Sequence, residues 1–470
     1  MKTLDVDVAV IGAGVIGCAI AAKLSTSGCE VCVLERRADV CDETSKATSA
    51  ITDSGWESDP ASLEGQLIAR SSPQWEEIAA RLNVPFVRTG VLLVASTPEQ
   101  VTALDHASHA AADNGVLAHR WSGAGFSEQA PYLGRDVLEV LEIPRDGVVD
   151  PVALTVGYAR LAARNGTRFL FSSPLQSATL SGERVVELHT PRLVVRPRFV
   201  VNAAGLGADD VSRNLAAEDF EVWPRRGEYL VLAPSSGPRI DRIIARPPSD
   251  LGGGVMVIPT PAGRLLLGPT AEDGQDKRDV STSTATLDAV FAACQTLVPG
   301  LRREHAIASF TGLRASSDRT YRIERSAIRT NLVQACGIRS TGIASSPAVA
   351  DLVHELLVDA GLRGTSSRAT VERLPLITTP PGSAGCSPIV CACQRVSTAE
   401  IRDALTGDVP ARSVRGVAKR TGATLGRCQG DDCLSTVVAL LTEELNVAPW
   451  AAPFDDVGGG TVGVAPPTVR

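Results

Sequence analysis

Val6-Asp7-Val8-Ala9-Val10-Ile11-Gly12-Ala13-Gly14-Val15-Ile16-Gly17, near the N-terminus, decides the fold. Val6 to Ile11 reads as a short apolar strand of the kind buried in a parallel sheet. The spacing Gly12-x-Gly14-x-x-Gly17 follows at once. Ala19, Ile20, Ala22, Lys23 and Leu24 then continue as a helix that ends near Gly28, and Val31-Cys32-Val33-Leu34 forms a second strand ending at Glu35. In such a unit the first glycine makes the tight turn, the second lets backbone approach a pyrophosphate, and the third lets helix and strand pack closely. The helix N-terminus offers N–H groups and a positive dipole end to phosphate. Glu35 stands where an acid accepts hydrogen bonds from ribose hydroxyls. The stretch therefore predicts a dinucleotide site in a Rossmann-like α/β domain. The loop alone does not separate FAD from NAD. Its place at the start of a long chain, with no second loop of this kind for a nicotinamide cofactor, favours FAD.

A chain of 470 residues exceeds one simple core, so two or three structural units are expected. A net charge of −7 and only 4% aromatic residues argue against nucleic-acid binding. No apolar run is long enough to span a membrane. Asp5 and Asp7 fall where a signal peptide would be apolar. A cytoplasmic protein is expected, with peripheral docking at the inner face of the membrane left open. Disulfides are not expected in such a chain. Cys18, Cys29, Cys32, Cys41, Cys294 and Cys336 lie scattered, mostly in apolar segments, and read as small buried hydrophobes.

Helical patterns are predicted at 62–83, 98–114, 151–165, 284–296 and 347–359, with strand-like runs at 90–94, 169–171, 185–188, 193–195, 199–201, 225–232 and 253–268. Turn-rich stretches lie at Pro234–Pro238 and Pro247–Gly254. Linker composition marks 376–388, so the expected units are an oxidoreductase body over 1–375, that linker, a compact segment over 389–447, and a disordered tail over 448–470.

The stretches Thr44-Ser-Lys-Ala-Thr-Ser49, Asp146-Gly-Val-Val-Asp-Pro151, Val201-Asn-Ala-Ala-Gly205, Pro224-Arg-Arg-Gly-Glu-Tyr229, Leu267-Gly-Pro-Thr270, Phe310-Thr-Gly-Leu-Arg-Ala315 and Gly337-Ile-Arg-Ser-Thr-Gly342 occur in this order. Through them residues 1–360 resemble the FAD-dependent oxidoreductases of the D-amino-acid-oxidase/glycerol-3-phosphate-dehydrogenase superfamily. The resemblance is strongest to anaerobic-type glycerol-3-phosphate dehydrogenase FAD subunits and L-2-hydroxyglutarate oxidases. It implies an FAD domain interleaved with a β-rich substrate domain. It places Ser45, Lys46 and Ser49 along the pyrophosphate and flavin, Leu175 at the adenine through its backbone, and Gly205 near the cofactor. Gly342 and Ile343 would present N–H groups to the flavin carbonyl. With Gly12, Gly14, Gly17, Glu35 and the adjacent Arg36 these make the expected cofactor set. Arg314 is the foremost substrate candidate, since an arginine facing the flavin can clamp a carboxylate or phosphate bidentately. Arg225, Arg226, Tyr229 and Arg322 follow. The plainer readings are turns, core positions and structural ion pairs. The histidines offer no clear base; His106 and His109 lie on a polar helix face.

Two departures bear on the substrate. Where many members of that superfamily carry His-Ala-Gly or His-Ser-Gly beside the flavin, this chain has Asp53-Ser54-Gly55. Where they carry Ser-Pro-Gly, it has Ser340-Thr341-Gly342. The first also removes an obvious residue for covalent flavin attachment.

Cys391-x-Cys393 and Cys428-x₄-Cys433 form a second signal. Four thiolates in two close pairs suit a metal or an iron–sulfur cluster. Zinc competes, but structural zinc sites more often use C-x₂₋₄-C pairs. Cys386 lies in the linker and is not expected to be a ligand. Ser397-Thr-Ala-Glu400 is a capping box opening one helix, 414–420 reads as another, and an apolar helix follows Cys433. The segment resembles the bacterioferritin-associated-ferredoxin-like domain, a small helical module, which implies a 2Fe-2S cluster on Cys391, Cys393, Cys428 and Cys433.

Flavin removes electrons in pairs and the cluster carries them singly. A dehydrogenase passing electrons to a partner subunit or quinone is therefore expected. The substrate expected is a small anion of the glycerol 3-phosphate or 2-hydroxy acid class. An amino-acid or opine-type C–N oxidase is the alternative.

Overall fold

The structure is a computed structural model and describes residues 2–126, 128–234, 238–248, 254–364, 371–374 and 387–454. Strand Lys2–Ile11 lies between Val31–Leu34 and Leu193–Asn202, parallel to both. Arg168–Leu170 extends this sheet beyond Val31–Leu34, and Leu332–Cys336 joins it on Leu193–Asn202. Val8, Val10, Val31 and Val33 enter one apolar cluster, with helices Val15–Thr26, Pro151–Arg164 and Gly342–Asp359. Their alternates Ala9, Ile11, Cys32 and Leu34 enter the cluster on the opposite face. Burial on both faces is why these strands read as unbroken apolar runs.

A second, larger sheet centres on Val222–Leu232, which pairs antiparallel with Ala306–Ser317 and Leu265–Gly268. It continues through Met256–Pro259 and Ile243–Ala245 to Val91–Ala95 and Glu139–Ile143. Leu92 and Val94 pack with helix Thr284–Leu297, while Leu93 and Ala95 pack with helix Pro98–Asp113. The chain enters the first sheet, crosses to the second, returns for 168–202, crosses again for 222–317 and closes in the first. The two subdomains are interleaved, as expected.

Several expected elements differ in their bounds. The pattern over 62–83 is two helices, Leu63–Ser71 and Trp75–Leu82, because Pro73 forces a 3-10 turn between them. The runs at 193–195 and 199–201 are one strand, Leu193–Asn202. Pro197 is tolerated there because the edge away from Lys2–Ile11 is paired only up to Val195 and again from Val200. The helix expected from 347 begins at Gly342. Pro347 has no N–H for the carbonyl of Ile343, and the Ser346 hydroxyl donates to that oxygen at 3.0 Å.

Residues 387–454 carry a separate apolar core that includes Ile401, Leu405, Val417, Val437 and Leu441. The capping box forms as read: Ser397 and Glu400 bond each other's backbone at the start of helix Thr398–Thr406. Helices Val414–Thr421 and Leu434–Leu445 follow. The first residues of the segment expected as a disordered tail are folded. Pro449–Ala451 makes a 3-10 turn, Ala452 is buried, and Pro453 and Phe454 accept the N–H groups of Val414 and Arg415. Apolar Ala452 and Phe454 complete the core of this unit, which is why the chain stays ordered there. The rest of the tail, most of the linker with Cys386, and parts of the turns at 234–238 and 247–254 lie outside the described residues. Among those described, no helix is long and apolar enough to cross a membrane.

The small unit docks on the body through buried charge. Asp39 accepts from Arg420 Nη2 at 2.6 Å and lies 2.9 Å from Lys419 Nζ, and all three side chains are under one-tenth exposed. Lys419 also donates to the Val40 carbonyl at 2.8 Å. Removing one partner of a buried pair costs about 3–5 kcal/mol. Asp39→Ala should therefore accelerate amide exchange in helix Val414–Thr421 and leave Thr284–Leu297 unchanged. Unaltered exchange in both helices would show that these pairs do not hold the junction.

Candidate functional site

Gly12 has φ of +106°, and a Cβ there would stand 2.5 Å from the carbonyl oxygen of Ala203. A Cβ on Gly17 would stand 2.0 Å from the oxygen of Gly12. The turn and the helix crossing both require bare backbone. Gly14 leads into helix Val15–Thr26 with no side-chain cap, so the helix start is open to an anion. Ser45 Oγ accepts from Val15 N at 2.9 Å. Glu35 accepts from Ala13 N at 2.8 Å and from Arg37 N at 2.7 Å. Burial pushes the Glu35 carboxyl above its ordinary range, and these N–H bonds oppose that rise.

From this loop a cleft of about 1640 Å³, counting its open mouth, runs to the junction of the two sheets. Of the expected cofactor residues, Gly14, Ser45, Ser49, Gly205, Gly342 and Ile343 line it. Gly12, Gly17 and Glu35 lie behind the loop and shape it. Leu175 follows Ser172 and Ser173, whose N–H groups bond the carbonyls of Arg37 and Glu35, so it sits beyond the second strand at the ribose end. Arg36 and Lys46 do not line the cleft. Arg36 is held by Glu43 at 2.5 Å and Lys46 by Asp42 at 2.8 Å. The tight loop, open helix start, flanking acid and long cleft fit FAD.

At the far end Arg314 and Tyr229 line the cleft together. The Arg314 guanidinium donates to the carbonyls of Arg226 at 3.4 Å and Thr270 at 3.2 Å and to the Tyr229 hydroxyl, and among the described residues no carboxylate pairs with it. A Cβ on Gly227 would fall 2.6 Å from Arg314 Nη2, so that glycine makes room for it. The expected neighbours turn elsewhere. Arg225 pairs with Asp273 at 2.9 Å. Arg226 pairs with Asp279 and donates to Ser281 O at 2.8 Å. Arg322 lies over the Phe220 ring at 4.8 Å and pairs with Glu324 at 3.2 Å. His106 and His109 are exposed on helix Pro98–Asp113, as read.

The structure adds residues that the sequence reading left out. Asp53, Glu57 and Asp146 line the same end of the cleft, with Arg246 and Arg339. Asp53 accepts from Gly55 N at 2.7 Å and Asp146 from Ser54 N at 2.9 Å. Glu57 opens into the cleft but is walled by protein, and this burial, then the charge of Asp53, pushes its carboxyl up to about 7. Burial likewise raises Asp53 and Asp146, and Asp146 is raised further by Asp53. The departure at Asp53 and the acid opening the 146–151 stretch were the available signals; their convergence from separate strands was not readable. Thr341 also has a role: its hydroxyl bonds Glu64 and, at 2.8 Å, the Tyr321 hydroxyl, which fixes the start of helix Gly342–Asp359.

In the small unit Cys391 and Cys433 are buried, Cys428 is half-buried and Cys393 is exposed. The thiols stand as two hydrogen-bonded pairs, Cys391 with Cys433 and Cys393 with Cys428. N–H groups of Asp432 and Gly430 hold the Cys428 thiol below its ordinary range, while burial pushes Cys433 up to about 11. A Cβ on Gly426 would stand 2.3 Å from Cys393 Cβ, so the loop closes tightly over that residue. Among the described residues no group of three or more His, Cys, Asp or Glu side chains forms a closed metal cage. Two pairs of thiols with N–H donors to sulfur nonetheless fit the donor chemistry of a two-iron cluster. The six scattered cysteines are all buried and free, as read.

Comparison with known proteins accords with this geometry. Residues 7–356 match the family described as FAD dependent oxidoreductase, and residues 389–443 match the BFD-like 2Fe-2S binding domain. The chain is 32% identical to glycerol 3-phosphate dehydrogenase of Caloramator mitchellensis over 94% of this chain and 95% of that one. It is 24% identical to the mitochondrial L-2-hydroxyglutarate dehydrogenase of Arabidopsis thaliana over 74% of this chain and 82% of that one. The structure resembles that of L-alpha-glycerophosphate oxidase from Mycoplasma pneumoniae with FAD bound. Its TM-score is 0.73 at 25% identity, covering 80% of this chain and all of that one. The fold, the phosphate loop and these matches together make the chain a member of the FAD-dependent oxidoreductase family, with a 2Fe-2S domain appended at its C-terminal end.

Proposed function

We propose that the chain oxidises the secondary hydroxyl of a small anion, sn-glycerol 3-phosphate or a 2-hydroxy acid. The observation that carries this reading is Arg314, a cleft-lining guanidinium that bonds carbonyls and the Tyr229 hydroxyl and pairs with no carboxylate among the described residues. A carboxylate or phosphate of the substrate supplies the anion it lacks. Tyr229, whose hydroxyl is bonded by both Arg314 and Ser49, joins it on the substrate. Alcohol oxidation also releases the hydroxyl proton, and among the described residues no histidine lines the cleft. Glu57, beside Asp53, accepts that proton. When bound, FAD supplies a two-electron hydride acceptor and the cluster a one-electron carrier. Cys391, Cys393, Cys428 and Cys433 would hold the cluster, and the exposed Cys393 is the side from which a quinone or partner subunit would draw electrons. A cytoplasmic enzyme, peripheral at the inner face of the membrane, fits that outlet.

A second reading rests on the same carboxylates. Asp53, Glu57 and Asp146 would also suit the ammonium group of an amino acid, with oxidation at a C–N bond. Anaerobic mixing with glycerol 3-phosphate, L-2-hydroxyglutarate and a set of amino acids separates the two. Bleaching of the flavin band by the hydroxy compounds alone is expected, and bleaching by amino acids alone would sink the first reading.

Two substitutions test the roles assigned. Arg314→Ala removes hydrogen bonds to a charged group, about 1.5–3 kcal/mol, so kcat/KM should fall roughly 10- to 150-fold with FAD content unchanged. Unaltered kinetics would remove Arg314 from the site. For Glu57 the base must be ionised. Its carboxyl is protonated below pH 7 and ionised above, so kcat/KM should rise with pH and level off past about 7. Glu57→Gln should lose that limb and slow turnover roughly 10²- to 10⁴-fold. A limb that persists in the variant would assign it to another group.

A further inference from the structure

Arg264 belongs to the oxidoreductase body but serves the other domain. It precedes strand Leu265–Gly268, with its backbone pinned by Thr260: the Thr260 N–H donates to the Arg264 carbonyl at 2.8 Å, and the Arg264 N–H donates to Thr260 Oγ1 at 3.1 Å. Its guanidinium crosses the junction and donates to Gln394 Oε1 at 2.6 Å. Gln394 follows Cys393 directly, and its amide nitrogen lies 3.2 Å from where a Cβ on Gly426 would stand. Gly422 of the small domain closes on the other side, its would-be Cβ 3.8 Å from Arg264 Nη2. Arg264 Nε is buried and has no hydrogen-bond partner. The charges that bear on this cation are Asp150 and Cys391. The Asp150 carboxylate is engaged as the N-cap of helix Pro151–Arg164, accepting from Ala153 N at 2.8 Å.

A half-buried cation without a dedicated carboxylate is stabilised by an anion nearby. The anion this site offers is the thiolate shell that begins at Cys391. A cluster held by four thiolates is net negative, and each electron it takes from reduced flavin adds one more negative charge. A fixed cation at its edge favours the reduced form over the oxidised one and so raises the potential. We propose that Arg264 is a redox-tuning residue, lent by the flavin-binding body to the 2Fe-2S cluster of the appended domain. The tuning then exists only while the two domains are docked. This rests on the reading that Cys391, Cys393, Cys428 and Cys433 hold the cluster.

The test is a potentiometric titration of the purified full-length holoprotein followed by electron paramagnetic resonance, with iron and sulfide counted in each sample. Arg264→Gln keeps a hydrogen-bonding side chain and removes the charge. Its cluster should be harder to reduce by about tenfold in the equilibrium constant, which is about 59 mV for one electron. Arg264→Lys should stay near the wild-type potential, and the flavin potential should not move in either variant. Equal potentials in wild type and Arg264→Gln at equal iron content would overturn the proposal. If Arg264→Gln assembles no cluster, Arg264→Lys decides: a full cluster at the wild-type potential supports a role for charge, and loss in both variants overturns it in favour of packing. Zinc in place of iron in the wild type would instead overturn the ligand reading beneath the proposal, before any variant is compared.

Discussion

The approach of Gly17 to Gly12 is the contact on which the rest is built. With no side chain at either position, helix Val15–Thr26 comes down on strand Lys2–Ile11 with its first turn over the strand's carboxyl end. A methyl group at Gly17 would need the helix to lift, since it would meet backbone and not a side chain that could swing away. Lifting the helix would move its N–H groups away from the phosphate position and Val15 away from Ser45. It would also open the apolar layer in which Cys18, Ile20 and Leu24 pack at no exposure. The nucleotide site and the core of the first subdomain therefore share one steric condition.

That condition explains what could be read from the sequence. The strand–loop–helix–strand unit is local, and its glycines, apolar runs and Glu35 are all needed within one short stretch. The same holds for the capping box at Ser397, whose two partners are three residues apart. The cysteine pairs were visible because thiols are rare and their spacing is informative. The substrate end was not local. Asp53 comes from the loop after a two-residue strand, Asp146 from a turn between two other strands, and Arg314 from the long strand Ala306–Ser317. Whether an acid faces a cleft or water depends on where such strands cross, and no periodicity records that. Arg226 illustrates it. It is next to Arg225 on the same strand as Tyr229, yet it is drawn off by Asp279, which the sequence holds far away.

The cleft joins two opposed demands. Arginines attract an anionic substrate, and three carboxylates close together resist ionisation. The second effect gives the acids their use. Isolated in water, a glutamate would be ionised at neutral pH and too weak a base to matter. Burial and the charge of Asp53 move Glu57 to about 7, where it is partly ionised and able to hold a proton. Arg339 opposes this rise without cancelling it. In the proposed function a base of this kind takes the place of a histidine, in a chain that has Asp53 where many members of the superfamily carry one.

Charge also couples the two cofactor sites. Asp42 is bonded by Lys46 at 2.8 Å and, across the domain junction, lies 3.4 Å from Lys419. Burial alone would raise its pKa, but the two lysines hold it below the ordinary carboxylate range. Lys46 adjoins Ser45, which fixes the first turn of the phosphate-binding helix, and Lys419 adjoins Arg420 on the helix of the cluster domain that docks at Asp39. One carboxylate thus ties the segment behind the phosphate loop to the unit that carries the cysteines. Loss of the docked domain would leave Asp42 with one cation and Asp39 with neither of its own, in a stretch whose backbone also bonds Ala13 through Cys41. The FAD loop and the cluster domain are in this sense one electrostatic assembly, and its buried charges are balanced only when both parts are in place.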